Sequence, residues 1–404
     1  MKPLRLFGAL FTLLLALQCG APAAAGTAQT TKPIRIGVSG PFTGASSPIG
    51  ISMREGIRIA ATQINAAGGV LGRPVELVER DDEARNERGA RVVQELIMQE
   101  KVVAGLGMVN TGVALASQRH YQLARIPVIT SVATGTLITR QFQPPEFADN
   151  FVFRVSASDN IQAALIATEA VVNRGFRQVA IFHDATNYGQ LGRADLEEAL
   201  RRHDVRPLVI ERIQPGQSDL TQRLERARTA GAEVVLAYGI GPELAEIAKG
   251  MTTIGWPAPI VGSWTLGMSG FIDNAGTHAE GTRMPQTFIA EAADQRGRTF
   301  LEAWLKATGT ARIPVPPAAA QGYDSMLLLA AAIRQARSIE GDPIREALEN
   351  LRTPVEGVIM TYVRPFSKEN HEAITLPGQI QLGEIRDGKV IFAYDSDRLQ
   401  GARR

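Results

Sequence analysis

Six short segments rich in Gly, Ser, Thr and Asn hold the residues best suited to chemistry. Three are Ser39-Gly40-Pro41-Phe42-Thr43-Gly44, Gly107-Met108-Val109-Asn110-Thr111-Gly112 and Thr130-Ser131-Val132-Ala133-Thr134-Gly135. The other three are His183-Asp184-Ala185-Thr186-Asn187-Tyr188-Gly189, Tyr238-Gly239-Ile240-Gly241 and Ser263-Trp264-Thr265. Each follows an apolar run that reads as a strand. In parallel α/β sheets, ligands bind outside the carboxyl ends of the strands. Free N–H groups at a helix start, joined by hydroxyl donors, hold a carboxylate or another anion without an arginine. Taken singly, Asn110 or Thr111 also fits a plain helix cap. The functional reading rests on several such segments converging. Tyr188 and Trp264 stand in the second group, where an aromatic face can cover an apolar ligand body. Loop packing against a hinge is the other use for them.

Signals for catalysis are thin. Gly105-Leu106-Gly107-Met108-Val109-Asn110 follows a strand and opens a helix, as a dinucleotide fingerprint does. It ends in Asn, and it belongs to the third strand of its series rather than the first. There is no Walker A sequence, no His-Glu-x-x-His and no Gly-x-Ser-x-Gly. His183 alone among five histidines lies at a strand's carboxyl end and reads as a hydrogen-bonded spacer. Asp81-Asp82-Glu83 reads as capping and solvation, with no further metal ligands nearby. No catalytic residue, cofactor or metal is expected.

The elements that must position these segments come in two similar passes. The first has apolar runs at 34–38, 75–78, 102–105 and 126–129; the second has them at 179–182, 207–210, 234–237 and 259–262. Most spacings are about 24 to 28 residues, a strand plus a crossover helix. Ile57, Ala60, Ala61 and Ile64 make one apolar helical face, and Val92, Val93, Leu96 and Ile97 another. Gly68-Gly69 closes the first of these helices. Strand and helix in alternation imply a parallel sheet covered on both faces, twice over. Runs without strict alternation suit strands buried on both sides. The segment 284–288 reads as a second crossover, and the helices near 300–308 and 325–336 return to the first lobe. Asp387-Gly388 between the alternating runs 379–385 and 390–394 predicts a hairpin on the second lobe.

Composition sets outer limits. The chain has 404 residues, 45% hydrophobic and 21% charged, with net charge +2, enough for two lobes with proper cores. Lys and Arg are scattered, which argues against a nucleic-acid surface. Lys2 and Arg5 precede an apolar stretch at 6–17, and Ala23-Ala24-Ala25 gives a cleavage site, so residues 1–25 read as a secretory signal peptide. The single cysteine, Cys19, falls inside it and lacks a small residue just before it, so a lipid anchor is not expected. No later segment is apolar for long enough to span a bilayer.

These residues together resemble a known family, the periplasmic solute-binding proteins of the leucine/isoleucine/valine type that serve ABC transporters. The resemblance runs over nearly the whole mature chain. It rests on Ile36-Gly37-Val38-Ser39-Gly40-Pro41 with Thr43-Gly44, on Ile64-Asn65-Ala66-Ala67-Gly68-Gly69-Val70-Leu71-Gly72, and on Val78-Glu79-Arg80-Asp81-Asp82. Ile126-Pro127-Val128-Ile129, Asn187-Tyr188-Gly189-Gln190, Glu280-Gly281 and Gly322-Tyr323-Asp324-Ser325 extend it.

The resemblance implies the type I periplasmic binding fold: two doubly wound α/β lobes, joined by a three-crossover hinge, with a ligand cleft between them. The implied lobes are 33–152 plus 285–358 and 153–284 plus 359–396. It implies a non-enzymatic, monomeric carrier in the periplasm. The partners would be a small solute, an inner-membrane permease and its ATPase. Carried over by position, the ligand's carboxylate and ammonium would meet Thr111 (or Asn110), Ala133 and Thr134, with Tyr188 in the other lobe. The family's glutamate for the ammonium is replaced here by Trp264, its aromatic near residue 49 by Ile49, and its first-lobe disulfide is absent. Unless Asp184 or Asp324 reaches the ligand, an amine-free acid or an amide becomes the expected solute, since a buried ammonium without a carboxylate is costly. A sensor subunit of the same fold and a secreted hydrolase or dehydrogenase remain as alternatives.

Overall fold

The computed structural model describes residues 32–397. The expected signal peptide and Cys19 lie outside the described residues. The first sheet holds β1 (Ile34–Gly40), β2 (Val75–Asp81), β3 (Ala104–Gly107), β4 (Val128–Thr130) and β5 (Val152–Arg154), all parallel, in the order β2-β1-β3-β4-β5. The connecting helices are α1 (Ser47–Ala66), α2 (Asn86–Met98) and α3 (Thr111–Ala124). Central β1 is buried through Ile34, Ile36 and Val38, while edge strand β2 turns Glu76 outward.

The second sheet follows α4 (Asp159–Ala167). Its units are β6 (Val179–Asp184), α5 (Asn187–Arg201), β7 (Val209–Ile213), α6 (Thr221–Thr229), β8 (Val234–Tyr238), α7 (Glu243–Thr253), β9 (Ile260–Gly262), α8 (Ser269–Ala275) and β10 (Arg283–Gln286). Helices α9 (Gln295–Thr308), α10 (Pro316–Ala336) and α11 (Gly341–Glu349) come next, with α10 packed along α1 of the first sheet. A small ribbon, β11 (Val355–Glu356) with β12 (Thr361–Tyr362), precedes the hairpin of β13 (Gln381–Arg386) and β14 (Lys389–Phe392). That hairpin turns at Asp387-Gly388 as expected and completes the order β14-β13-β10-β9-β8-β6-β7. The chain thus passes between the sheets three times: after β5, between β10 and α9, and between β12 and β13.

Three strands, β3, β4 and β7, start two residues later than the sequence reading places them, and two of them show why. β3 starts two residues later than expected and runs into Gly107, whose φ of 129° and contact with the Ser39 carbonyl leave no room for a side chain. Gly105 makes space for the Tyr121 ring, so both glycines of the dinucleotide-like motif serve packing. β7 also starts late and alternates, because it is an edge strand: Glu211 and Ile213 face inward while Ile210 and Arg212 face out. Inward-facing Glu211 is neutralised by Arg226 at 2.8 Å.

Candidate functional site

The carboxyl ends of the two sheets face one cleft, and the segments singled out above meet there. Asn110 stands just before α3 but makes no capping bond with its side chain; its Nδ2 donates to Ser46 Oγ at 3.3 Å. Its Oδ1, Thr111 Oγ1 and Ser131 Oγ are buried and have no hydrogen-bond partner. Helix capping therefore does not account for Asn110 and Thr111. Thr111 packs directly on Gly135, which brings the start of α3 against the loop after β4.

That loop is fixed by its backbone. Ala133 N–H donates to the Met108 carbonyl at 3.0 Å, and its carbonyl accepts from Ser156 Oγ at 2.9 Å. The Thr134 carbonyl accepts from Asp159 N–H at 2.8 Å and from Arg154 Nη1 at 3.0 Å. Arg154 also donates to the Gly135 carbonyl at 2.7 Å and pairs with Glu372 at 2.6 Å. Since residues 371–373 flank β5 through backbone bonds to Arg154, this one guanidinium ties the first and third crossings to the loop of Thr134.

Asp159, in the first turn of α4, is a residue the sequence reading missed. It is fully buried; Oδ1 accepts from the Tyr238 hydroxyl at 2.6 Å, while Oδ2 has no partner. Burial pushes its carboxyl up to about 7, against the pull of the Tyr238 and Thr134 hydroxyls nearby. The Tyr188 ring lies 5.0 Å from Tyr238, and its buried hydroxyl is unpaired. Burial likewise raises Tyr188 well above the ordinary tyrosine value. Ser158 before Asp159 reads as an ordinary helix start, so only the burial of the next residue sets it apart.

Trp264 opens a short 3₁₀ turn after β9. Its N–H donates to Gln162 Oε1 at 3.4 Å, its carbonyl accepts from Gln286 Nε2 at 2.8 Å, and its indole Nε1 is buried and unpaired. Thr134 and Trp264 line one small cavity of about 10 Å³ together with Gln162, Gln286 and Gln321. The lobes touch elsewhere too: Thr136 Oγ1 donates to Asp195 Oδ2 at 2.7 Å.

The two carboxylates considered for an ammonium are already committed. Asp184 accepts from the N–H groups of Thr186, Gly189 and Ile240 and from the Thr186 hydroxyl. Asp324 accepts from Val358 and Ile359 N–H and from the Tyr362 hydroxyl. His183 is indeed a spacer, with Nδ1 at 2.8 Å from the Asp184 carbonyl. Ile49 is buried in the core. Asp81 fastens Phe42 N–H and Thr43 Oγ1, a turn-holding use.

A family model described as "Periplasmic binding protein" matches residues 33–389. The chain belongs to the periplasmic binding protein family. One relative, the "Amino acid binding protein" of Pseudomonas aeruginosa, is 32% identical over 225 residues, covering 55% of this chain and 58% of that one. The match thus spans little more than half of that relative's length. "Leu/Ile/Val-binding protein homolog 3" of Brucella melitensis is 26% identical over 330 residues, covering 81% of this chain and 86% of its own. Among solved structures, the branched-chain amino acid transporter substrate-binding protein LivJ of Streptococcus pneumoniae, in complex with isoleucine, superposes with a TM-score of 0.78 at 22% identity. It covers 89% of this chain and 98% of that one. An ABC-transporter solute-binding protein of Rhodopseudomonas palustris, in complex with 3,4-dihydroxybenzoic acid, superposes at 0.75 with 20% identity, covering 89% and 95%. This periplasmic binding protein therefore has the type I fold expected from its sequence: two α/β lobes, a three-crossover hinge and a cleft between. Among its described residues, no helix is long and apolar enough to cross a membrane.

Proposed function

We propose that this periplasmic binding protein is the solute-binding component of an ABC importer. It captures a small carboxylate-bearing solute by lobe closure and hands it to an inner-membrane permease and its ATPase. The carrying observation is the pair of buried, unpaired hydroxyls Thr111 Oγ1, at the start of α3, and Ser131 Oγ, just after β4, with the free N–H groups of the helix end; the unpaired Asn110 Oδ1 only accepts and would take a donor from elsewhere on the solute. Buried polar groups ordinarily find partners, and a helix N-terminus favours an anion. A ligand carboxylate completes both. The rigid units that close are 33–152 plus 285–358 and 153–284 plus 359–396, acting as a monomer in the periplasm after removal of residues 1–25. The protein acts by binding alone, without cofactor or turnover. Relatives named for amino acids and fold neighbours solved with aromatic acids support a carboxylate ligand of either kind.

Asp159 supports an ammonium-bearing solute, since its free Oδ2 supplies the carboxylate missing at Trp264. Trp264 itself favours a second reading, an amine-free acid beneath an aromatic face. Thr134→Val tests the carboxylate directly. The variant should weaken carboxylate solutes by about 1 kcal/mol more than their neutral amide analogues. Equal losses for both, read by titration calorimetry, would leave Thr134 a packing residue.

A further inference from the structure

On the reading that the cleft closes on a carboxylate-bearing solute, we infer the nature of that solute's far end. Its tip enters the cavity between Trp264 and Gln321 and is a small neutral group that both donates and accepts a hydrogen bond: a hydroxyl.

The cavity, about 10 Å³, has room for one water-sized group; Thr134, three glutamines, Thr287 and Trp264 line it beside apolar residues such as Ala157 and Ile380, with no charged side chain among its lining residues. Two of the glutamines are committed. Gln162 Nε2 donates to the Ala157 carbonyl at 2.9 Å and its Oε1 faces Trp264 N–H. Gln286 Nε2 donates to the Trp264 carbonyl. The remaining polar groups are not satisfied. Trp264, 7% exposed, has a buried indole Nε1 with no acceptor. Gln321, 4% exposed, donates from Nε2 to Thr287 Oγ1 at 3.0 Å, and its Oε1 is left over. Whichever way that amide lies, one of its two polar atoms is unpaired.

An indole N–H can only donate, so it demands an acceptor. An aliphatic or phenyl tail would bury both groups without partners, which is unfavourable. A charged tail would find no counter-ion in the lining. A single hydroxyl accepts from Trp264 and donates to Gln321.

The test is titration calorimetry on the intact protein freed of bound ligand, using matched pairs of carboxylate solutes. Valine against threonine, phenylalanine against tyrosine and benzoate against 4-hydroxybenzoate read the hydroxyl, with and without an amine. The polar member of at least one pair should bind at least about tenfold more tightly than its apolar isostere. Trp264→Phe should bring that ratio to within about twofold of one, and Gln321→Met should do so independently if the first variant misfolds. Apolar members binding as tightly as polar ones in every pair that binds would overturn this inference and leave the carboxylate reading standing. So would ratios unchanged in both variants. Failure of every solute in every pair to bind would overturn both.

Discussion

Arg154→Met is expected to lower the stability of the unliganded protein by about 3–5 kcal/mol, the usual cost of breaking a buried ion pair from one side. The Arg154 side chain is wholly buried, and its partner Glu372 is largely so. Removing the guanidinium leaves that carboxylate with only the Thr139 hydroxyl at 2.7 Å, and it strips the Thr134 and Gly135 carbonyls of a donor. Methionine keeps most of the volume, so the loss reports polar groups rather than a cavity. The double variant Arg154→Met with Glu372→Leu should recover much of the loss, because both charges are then gone. Denaturant unfolding with unchanged slope measures the effect. A loss under about 1 kcal/mol, or no recovery in the double variant, would show that the crossings are held together by other contacts. Because Arg154 orders the loop of Thr134, surviving variant should also bind its solute more weakly.

Asp159→Asn carries the second large effect, and pH separates its two parts. Asp159 titrates at about 7 in the folded protein, well above the ordinary carboxylate value, chiefly because burial disfavours its charge. The folded state therefore keeps a proton that the unfolded chain gives up. That contribution to stability is fully present below about pH 4, declines as pH rises, and is gone above about pH 7. The asparagine variant lacks this slope. Relative to the parent, it should gain up to a few kcal/mol between pH 4 and pH 7, read from paired unfolding curves. Parallel curves across that window would mean Asp159 titrates normally. For binding, an ammonium-bearing solute would draw Asp159 into its charged form, so affinity should rise with pH toward 7 and Asp159→Asn should cost about 2–5 kcal/mol. For an amine-free solute the protonated carboxyl acts as donor, so affinity falls over the same range and the asparagine variant, a donor as well, is tolerated.

The fold was largely legible because its strongest strands are. Ile34, Ile36 and Val38 in β1 and Val234, Val235 and Leu236 in β8 are β-branched or apolar runs with no competing use. β3 was misplaced because Gly105 and Gly107 carry no strand signal of their own; their place is set by Tyr121 and the Ser39 carbonyl, which only packing reveals. At the site, Asn110, Thr111, Ala133, Thr134, Tyr188 and Trp264 were legible as residues that follow strands. Asp159 was not, since it follows a crossing rather than one of the repeated units, and its neighbour Ser158 suggests a plain helix start. Asp184 and Asp324 looked available because the sequence does not show that backbone N–H groups fill their oxygens. Pairing of buried polar atoms is a property of the folded chain, and it decides between residues that are alike in sequence.

The measurement that reaches the central claim most directly is a thermal-shift screen of the protein refolded free of carried-over solute. The panel should hold branched-chain and aromatic amino acids, their deaminated acids and the matching neutral amides. A solute at about 100 times its dissociation constant adds roughly 2.7 kcal/mol, a clear rise in midpoint. The account predicts such a rise for at least one carboxylate-bearing solute, a smaller one for its neutral amide, and loss of the difference in Thr134→Val. Midpoints raised only by neutral solutes, or by none, would contradict it.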